Sequence, residues 1–357
     1  MSGNETRSYY SKHLDIGNEI LYLSEQDCKN TGITVQEIID ATEKAMVAYS
    51  KKEVEMPAKI GVHPQPDSLM HAMPAYLPNE YACGIKWGAN FPTNRDRYPG
   101  ITPTNAQIIY NDVESGLPLA IMDATWITEV RTPATALVGI KYGANLGAKT
   151  FGMIGCGIQG KSNVKMIENI LKGLETIYVY DLHESAMDAL VKQCQPVVNA
   201  KIVKCAGYEE VVASAEVITS ALPIAHKPEP PVKDAWVGKG KTLVCLDCHT
   251  VYEDSVYKRA DKYYLDSVEQ HELLIDYGYY PFGLPEATGE TGALAAGLVP
   301  GRESDDELVV INNVGMAVED IMCARIIFDR ALEKGLGLKL PLWASTGALK
   351  QAEPGRR

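Results

Sequence analysis

The stretch KTFGMIGCGIQGKSN, residues 149–163, places Gly155, Gly157 and Gly160 in a G-x-G-x-x-G spacing. The residues before it read as a strand and those after it as the start of a helix, which is the context this spacing needs to bind a dinucleotide. The first glycine permits the tight turn, the second lets backbone approach a pyrophosphate, and the third lets helix and strand pack closely. Phosphate oxygens would meet the unpaired N–H groups at the helix start, so Cys156, Ile158 and Gln159 join the glycines as candidate cofactor contacts. Asp181 ends the next strand, TIYVYD, 26 positions after Gly155. A carboxylate there receives ribose hydroxyls and repels a 2′-phosphate, and no arginine follows in YDLHESA to attract one. The expected cofactor is therefore NAD rather than NADP. Two plainer readings stand beside this one: a glycine-rich turn that binds nothing or another nucleotide, and an Asp181 that only caps the following helix.

Residues 245–249 read CLDCH, which has the spacing of a haem-attachment motif and of redox or zinc-binding cysteine pairs. KTLVCLDCHT reads instead as a buried strand, and no second cysteine pair completes a zinc site. With no secretory signal, the 8 cysteines are expected as buried or free thiols and no metal is expected. Asp247 falls at the carboxyl end of this strand, the edge on which open parallel sheets bind ligands, although an aspartate there often only shapes a turn. Lys86 lies in YACGIKWG among apolar neighbours, an expensive place for an unpaired ammonium, unless its stem lets the charge reach water. Arg131 lies in a helical stretch, where surface charge or a salt bridge is the plain alternative.

These residues need a scaffold, and the chain supplies two textures. EILYLS near the amino terminus reads as a strand, and TVQEIIDATEKAMVAYSKKE as a helix capped by its threonine. From residue 58 to 125 short strands alternate with turns: AKIGVHP, LMHAMPAYLP, YACGIKWGANFP, NAQIIYND and LPLAIMDA, with DVESG as a hairpin turn. An antiparallel or mixed sheet is expected, followed by the helix TWITEVRTPATALVGIKYGANLG. After residue 148 strands and helices alternate through TFGMIGCG, QGKSNVKMIENILKG, TIYVYD, ESAMDALVKQC, EVITSALP and TLVCLDC. That rhythm implies a parallel sheet with helices on both faces. LVVINNVG is expected as its last strand and MAVEDIMCARIIFDRALEKGLG as a long helix leaving it, with only the tail KQAEPGRR disordered.

The fold class expected is α/β: a Rossmann-type, doubly wound nucleotide-binding domain over residues 131–324, and an α+β domain over residues 1–130 completed by residues 325–357. A chain of 357 residues with 46% hydrophobic content can bury such cores. No apolar run approaches the roughly 20 residues that span a bilayer, and a formal net charge of −12 argues against a general nucleic-acid binder. Neither membrane nor nucleic acid is expected as partner, and the polar start MSGNETRSYYSKHLD points to a cytoplasmic protein.

Beyond the glycine turn, a series of stretches in fixed order resembles the ornithine cyclodeaminase and mu-crystallin family. They are MPAK (56–59), MPAYLP (73–78), GIKWGANFPTN (84–94), DVESGLPLAIMDATWITEVRTPAT (112–135), LDCHT (246–250), ETGALAAGL (290–298) and NVGMAVEDI (313–321). The resemblance implies an amino-terminal domain that provides substrate groups and a dimer interface, and hydride transfer between NAD(P) and the alpha carbon of an amino or imino acid. It makes Arg131 the carboxylate-binding arginine, with Thr132 beside it at the cofactor. Lys86 becomes the active-site lysine, touching the substrate carboxylate and assisting proton movement. Asp247 becomes the acid facing the reacting nitrogen, where a carboxylate can stabilise iminium charge and exchange a proton. Asn313 and Gly315 are placed near the nicotinamide.

Two positions depart from the family pattern. Lys59 stands where arginine is common and lacks the planar fork that grips a carboxylate. His71, in LMHAMPAYLP, stands where ornithine-using members carry glutamate, and it cannot supply the same fixed negative charge. The leading expectation is an NAD-dependent ketimine reductase or amino acid dehydrogenase acting on a small amino or imino acid as a homodimer. Ornithine cyclodeaminase is the close alternative, with NAD recycled within each turnover; a non-catalytic crystallin-like binding protein is the third.

Overall fold

The computed structural model describes residues 3–65, 68–98, 100–224 and 228–342, so the tail KQAEPGRR lies outside the described residues. The chain divides into two compact units: Met1–Ile33, Glu53–Thr128 and Asp320–Arg357 form one, and Thr34–Lys52 with Glu129–Glu319 form the other. Of the four divisions, two flank helix Val35–Ser50 and two fall inside helices, Thr125–Gly143 and Ala317–Lys334.

The first unit is built on a mixed sheet containing β1 (Glu19–Leu23), β2 (Ile60–Val62), β3 (Leu69–Leu77), β4 (Ala82–Asn90), β5 (Thr104–Asn111) and β6 (Pro118–Asp123). From one edge its order is Leu338–Pro341, β1, β6, β5, β4, β3, β2, all pairs antiparallel except β1 with β6. Side chains alternate between faces along each strand. His71, Met73, Ala75 and Leu77 of β3 are buried, and register places Met73, Lys86, Ile108 and Met122 in one row across four strands. The carboxyl-terminal helix covers this inner face: Phe328 stacks obliquely on Tyr110, with ring centroids 5.2 Å apart, and Ile321 packs at Gly84. The opposite face carries the row Pro74, Ile85, Ile109, Ile121 and Tyr22, and stays partly uncovered.

The second unit is a Rossmann-type, doubly wound fold. Its parallel strands are β7 (Thr150–Ile154), β8 (Thr176–Tyr180), β9 (Lys201–Lys204), β10 (Val217–Ser220), β11 (Thr242–Cys245), β12 (Lys262–Leu265), β13 (Gly289–Glu290) and β14 (Val309–Asn312). They lie in the order β13-β12-β14-β11-β10-β7-β8-β9. The order reverses between β7 and β10, so the ligand crevice is expected at their carboxyl ends. Three short strands, β9, β12 and β13, were not expected from the sequence.

Helix Val35–Ser50 starts at the expected Thr34, whose hydroxyl accepts the Glu37 N–H while the Glu37 carboxylate accepts the Thr34 N–H. Sequence order grouped this helix with the amino-terminal domain, whereas its contacts group it with the second unit. Tyr49 Oη lies 2.7 Å from Ser267 Oγ, Ser50 Oγ donates to Glu290 at 2.8 Å, and Lys141 and Tyr142 both donate to Glu43 at 2.7 Å. The closest approach is at Gly292, where a Cβ would stand 2.0 Å from the Met46 carbonyl oxygen. Backbone cannot yield as a flexible side chain can, so Gly292→Ala is expected to destabilise the protein by about 1–3 kcal/mol through overpacking. Denaturant melts of the two proteins check this, and an unchanged midpoint would contradict the close approach.

Candidate active site

The glycine turn lies at the switch point of the second unit's sheet. Gly155 has φ +94°, and a Cβ there would meet the Ala221 carbonyl oxygen at 2.6 Å; at Gly160 it would meet the Gly155 oxygen at 2.0 Å. These two glycines are demanded by the chain itself. Gly157 is not: the space beside it is open, and it starts helix Ile158–Met166 without any side-chain cap. An open cradle over uncapped N–H groups suits a phosphate, and Cys156, Ile158 and Gln159 lie along it. The Asp181 carboxylate accepts the Cys156 N–H at 2.8 Å and the His183 N–H at 2.9 Å, which ties the end of β8 to the turn.

Asp247 follows β11 at the same sheet edge and is fully buried. One carboxyl oxygen accepts the Ser220 hydroxyl at 3.0 Å and the other the Leu222 N–H at 2.9 Å. Burial outweighs these two donors and the residue's own N–H, and pushes its pKa from 3.8 up to about 7. The Ser220–Leu222 segment that holds Asp247 also borders Gly155, so the structure brings the acid and the glycine turn to one edge. Asn313 joins them: it follows β14, and its N–H donates to the Cys245 carbonyl at 2.9 Å. Its side chain is buried, yet neither Oδ1 nor Nδ2 has a hydrogen-bond partner among the described residues. An orphaned amide beside an open phosphate cradle fits a dinucleotide that carries a carboxamide.

Arg131 is buried on helix Thr125–Gly143 and pairs with buried Glu319 at 3.0 Å. Gly315, at φ +83°, lies against the guanidinium; a Cβ there would be 2.7 Å from Nη1. Thr132, next to Arg131, is half-buried.

In the first unit, Lys86 stands on the inner sheet face and pairs with Asp320 at 2.6 Å, both side chains buried. His71 occupies the same face of β3, and Gly61 on β2 makes room for it, since a Cβ there would be 2.3 Å from the imidazole. Burial, and then the charges of Lys59, His63 and Lys86, pull His71 from 6.5 down to about 4. It is neutral at physiological pH and stands in positive surroundings, with buried Lys59 among them.

Cys245 and Cys248 of the CLDCH stretch are buried thiols outside any disulfide. His249 stacks on Tyr257, ring centroids 3.6 Å apart, and shares a hydrogen bond of 3.0 Å with Tyr263. Burial lowers its pKa to about 3, so it is a neutral packing residue. Sequence reasoning did not single out Glu319 and Asp320. The available signal was two consecutive acids inside AVEDIMCARIIF, where helical spacing puts Asp320 on the apolar stripe of Met316, Cys323 and Ile327.

Comparison with known proteins gives these positions a context. The family profile described as "Ornithine cyclodeaminase/mu-crystallin family" matches residues 22–335. An alanine dehydrogenase of Archaeoglobus fulgidus is 29% identical over 330 residues, covering 90% of this chain and 98% of that protein. An archaeal alanine dehydrogenase dimer with bound NAD superposes with TM-score 0.82 at 28% identity, over 91% of this chain and 100% of that one. The Thermococcus litoralis pyrroline-2-carboxylate reductase, solved with NADH and L-proline, gives 0.80 at 25% identity, over 89% and 99%.

The pair in the first unit has a direct test. Removing one partner of a buried ion pair leaves the other charge uncompensated and costs about 3–5 kcal/mol, whereas replacing both by apolar groups is often neutral. Asp320→Ala is therefore expected to destabilise strongly, and Lys86→Met combined with Asp320→Leu to recover most of the loss. A double variant no more stable than Asp320→Ala in denaturant melts would contradict the pairing.

Proposed function

This chain belongs to the ornithine cyclodeaminase/mu-crystallin family, and from that premise we propose that it is an NAD(H)-dependent oxidoreductase acting on the alpha carbon–nitrogen bond of a small amino or imino acid. The observation that carries the reading is Asp247, a buried acid at the sheet's carboxyl edge that titrates near 7. Such a group holds and releases a proton at working pH, which is what interconverting an imine and an amine requires. NAD, bound on the glycine turn with Asp181 toward its ribose and Asn313 and Thr132 toward its nicotinamide end, supplies or takes up the hydride. Protonated Asp247 gives its proton to the imine nitrogen in the reductive direction, and its carboxylate receives one in the oxidative direction.

Arg131 is the carboxylate ligand of the second unit, with Glu319 fixing the guanidinium and Gly315 bringing backbone against it. In the first unit Lys86 is the corresponding cation, held by Asp320, and Lys59 and His71 are its neighbours on the substrate side. The positive surroundings of neutral His71 disfavour a substrate with an ammonium tail. This favours a ketimine reductase or amino acid dehydrogenase over ornithine cyclodeaminase. The retained acid and cations likewise favour an enzyme over a crystallin-like binder.

We place the protein in the cytoplasm, where eight cysteines that form no disulfide stay reduced. Among the described residues no helix is long and apolar enough to cross a membrane. The apolar carboxyl-terminal helix is not free to form a homodimer interface through Val318, Ile321, Phe328 and Ala331, which are buried within the chain itself. The uncovered apolar surface is the outer sheet face of the first unit, where Trp87 is 42% and Ile109 39% exposed. A second copy covering that face is the dimer we propose.

Two experiments test these readings. NADH loss is expected with at least one of pyruvate plus ammonia or methylamine, pyrroline-2-carboxylate and piperideine-2-carboxylate. The reductive kcat/KM should fall as pH rises through about 7, because it needs the protonated carboxyl, and the oxidative rate should rise through the same range. Asp247→Asn should lose about 100-fold or more and its pH limb with it. No turnover across the panel would refute the reductase, and proline with ammonia from ornithine under catalytic NAD would establish the lyase instead. Independently, Ile109→Arg should shift sedimentation from dimer to monomer, and a variant that stays dimeric would remove the sheet face from the interface.

A further inference from the structure

We propose that Asp266 is a positioning residue, fixing the Asn313–Gly315 turn through its carboxylate and so setting where the cofactor-facing amide stands. The inference rests on the reading of the second unit as the nicotinamide-binding part. Asp266 follows β12 at the sheet's carboxyl edge, is fully buried, and belongs to no part of the chemistry described above. Its Oδ2 accepts two backbone N–H groups at once, from Val314 at 2.7 Å and Gly315 at 2.6 Å, while Oδ1 accepts the Ser267 N–H at 2.9 Å. The His271 imidazole stands 3.5 Å from Oδ1, with its Nδ1 on the Ser267 carbonyl at 2.8 Å.

Each of those three backbone partners is a donor. An asparagine of the same shape would turn an NH2 either toward the two turn amides or toward Ser267, setting donor against donor. A carboxylate is the side chain of this length that satisfies all three. Without it the part-buried Val314 N–H and the buried Gly315 N–H would lose their acceptor, at a cost the turn relieves by shifting.

The turn held in this way carries two groups of consequence. Asn313 begins it, with an amide that has no hydrogen-bond partner among the described residues. Gly315 ends it, at φ +83° against the Arg131 guanidinium. Upstream, Asn312 donates to the Tyr263 hydroxyl at 3.3 Å, which is bonded in turn to His249. Strand end and turn are thus pinned from both sides, and Asp266 supplies the pin on the cofactor side.

The test is Asp266→Asn in the full chain, read in three ways. Without cofactor, amide hydrogen exchange at Val314 and Gly315 should speed up while the central strands of the same sheet keep their protection. With NADH, fluorescence titration should show Kd raised about tenfold, the scale of one lost buried hydrogen bond. In a cycle with Asn313→Ala, the double variant should bind NADH no more weakly than Asn313→Ala alone, because Asp266 acts through that residue. An unchanged Kd for Asp266→Asn, or losses that multiply in the double variant, would overturn the proposal. A wild-type chain that binds no NADH would instead refute the functional reading, and the exchange measurement would still decide whether Asp266 holds the turn. Should Asp266→Asn fail to fold, Asp266→Glu, which keeps both acceptor oxygens one methylene further out, takes the same three readouts, and unchanged exchange with unchanged Kd overturns the proposal there too.

Discussion

Two buried cations govern what this chain can be. An ammonium at Lys86 and a guanidinium at Arg131 could not remain charged inside the protein alone, since removing an unpaired ion from water costs several kcal/mol or more. Each meets a buried carboxylate, Asp320 and Glu319 respectively, at 2.6 and 3.0 Å. The two acids are consecutive residues of helix Ala317–Lys334, at the point where the chain passes from one compact unit to the other. Neither pair is strong evidence of stability, because apolar residues of similar volume would often do as well. On the function proposed above, each pair leaves a cation already desolvated and oriented, which would reorganise little when a carboxylate arrives.

The sequence made the architecture largely readable and the ion pairs hardly at all. Alternation along β3 and β4 gave the first unit's sheet, and the strand-helix rhythm after residue 148 gave the parallel one. Each signal is local, resting on a period that few residues suffice to display. Partners such as Lys86 and Asp320 are 234 positions apart, and no local period links them. The contacts of helix Val35–Ser50 are illegible for the same reason: Gly292, whose missing Cβ lets the Met46 carbonyl approach, and Ser267 and Glu290, which bond Tyr49 and Ser50, lie far along the chain. Asp247 was legible because position at a strand end is itself local. Its titration near neutrality was not, since that depends on which donors the folded sheet brings to it.

Three aspartates stand at one sheet edge of the second unit, after β8, β11 and β12, and their surroundings divide the work among them. Asp181 remains partly exposed and ties two backbone N–H groups, Cys156 and His183, so it can shape a turn and still face a polyhydroxylated ligand. Asp266 is fully buried and accepts three backbone N–H groups. Asp247 is just as buried; the Ser220 hydroxyl, the Leu222 N–H and its own N–H favour its charged form, yet burial is the dominant influence on it. Their surroundings therefore separate an acid that burial raises toward neutrality, Asp247, from a carboxylate that holds three backbone N–H groups, Asp266. Residue type alone, identical at all three positions, could not make that distinction, and the parallel sheet makes it by delivering each strand end into a different set of neighbours.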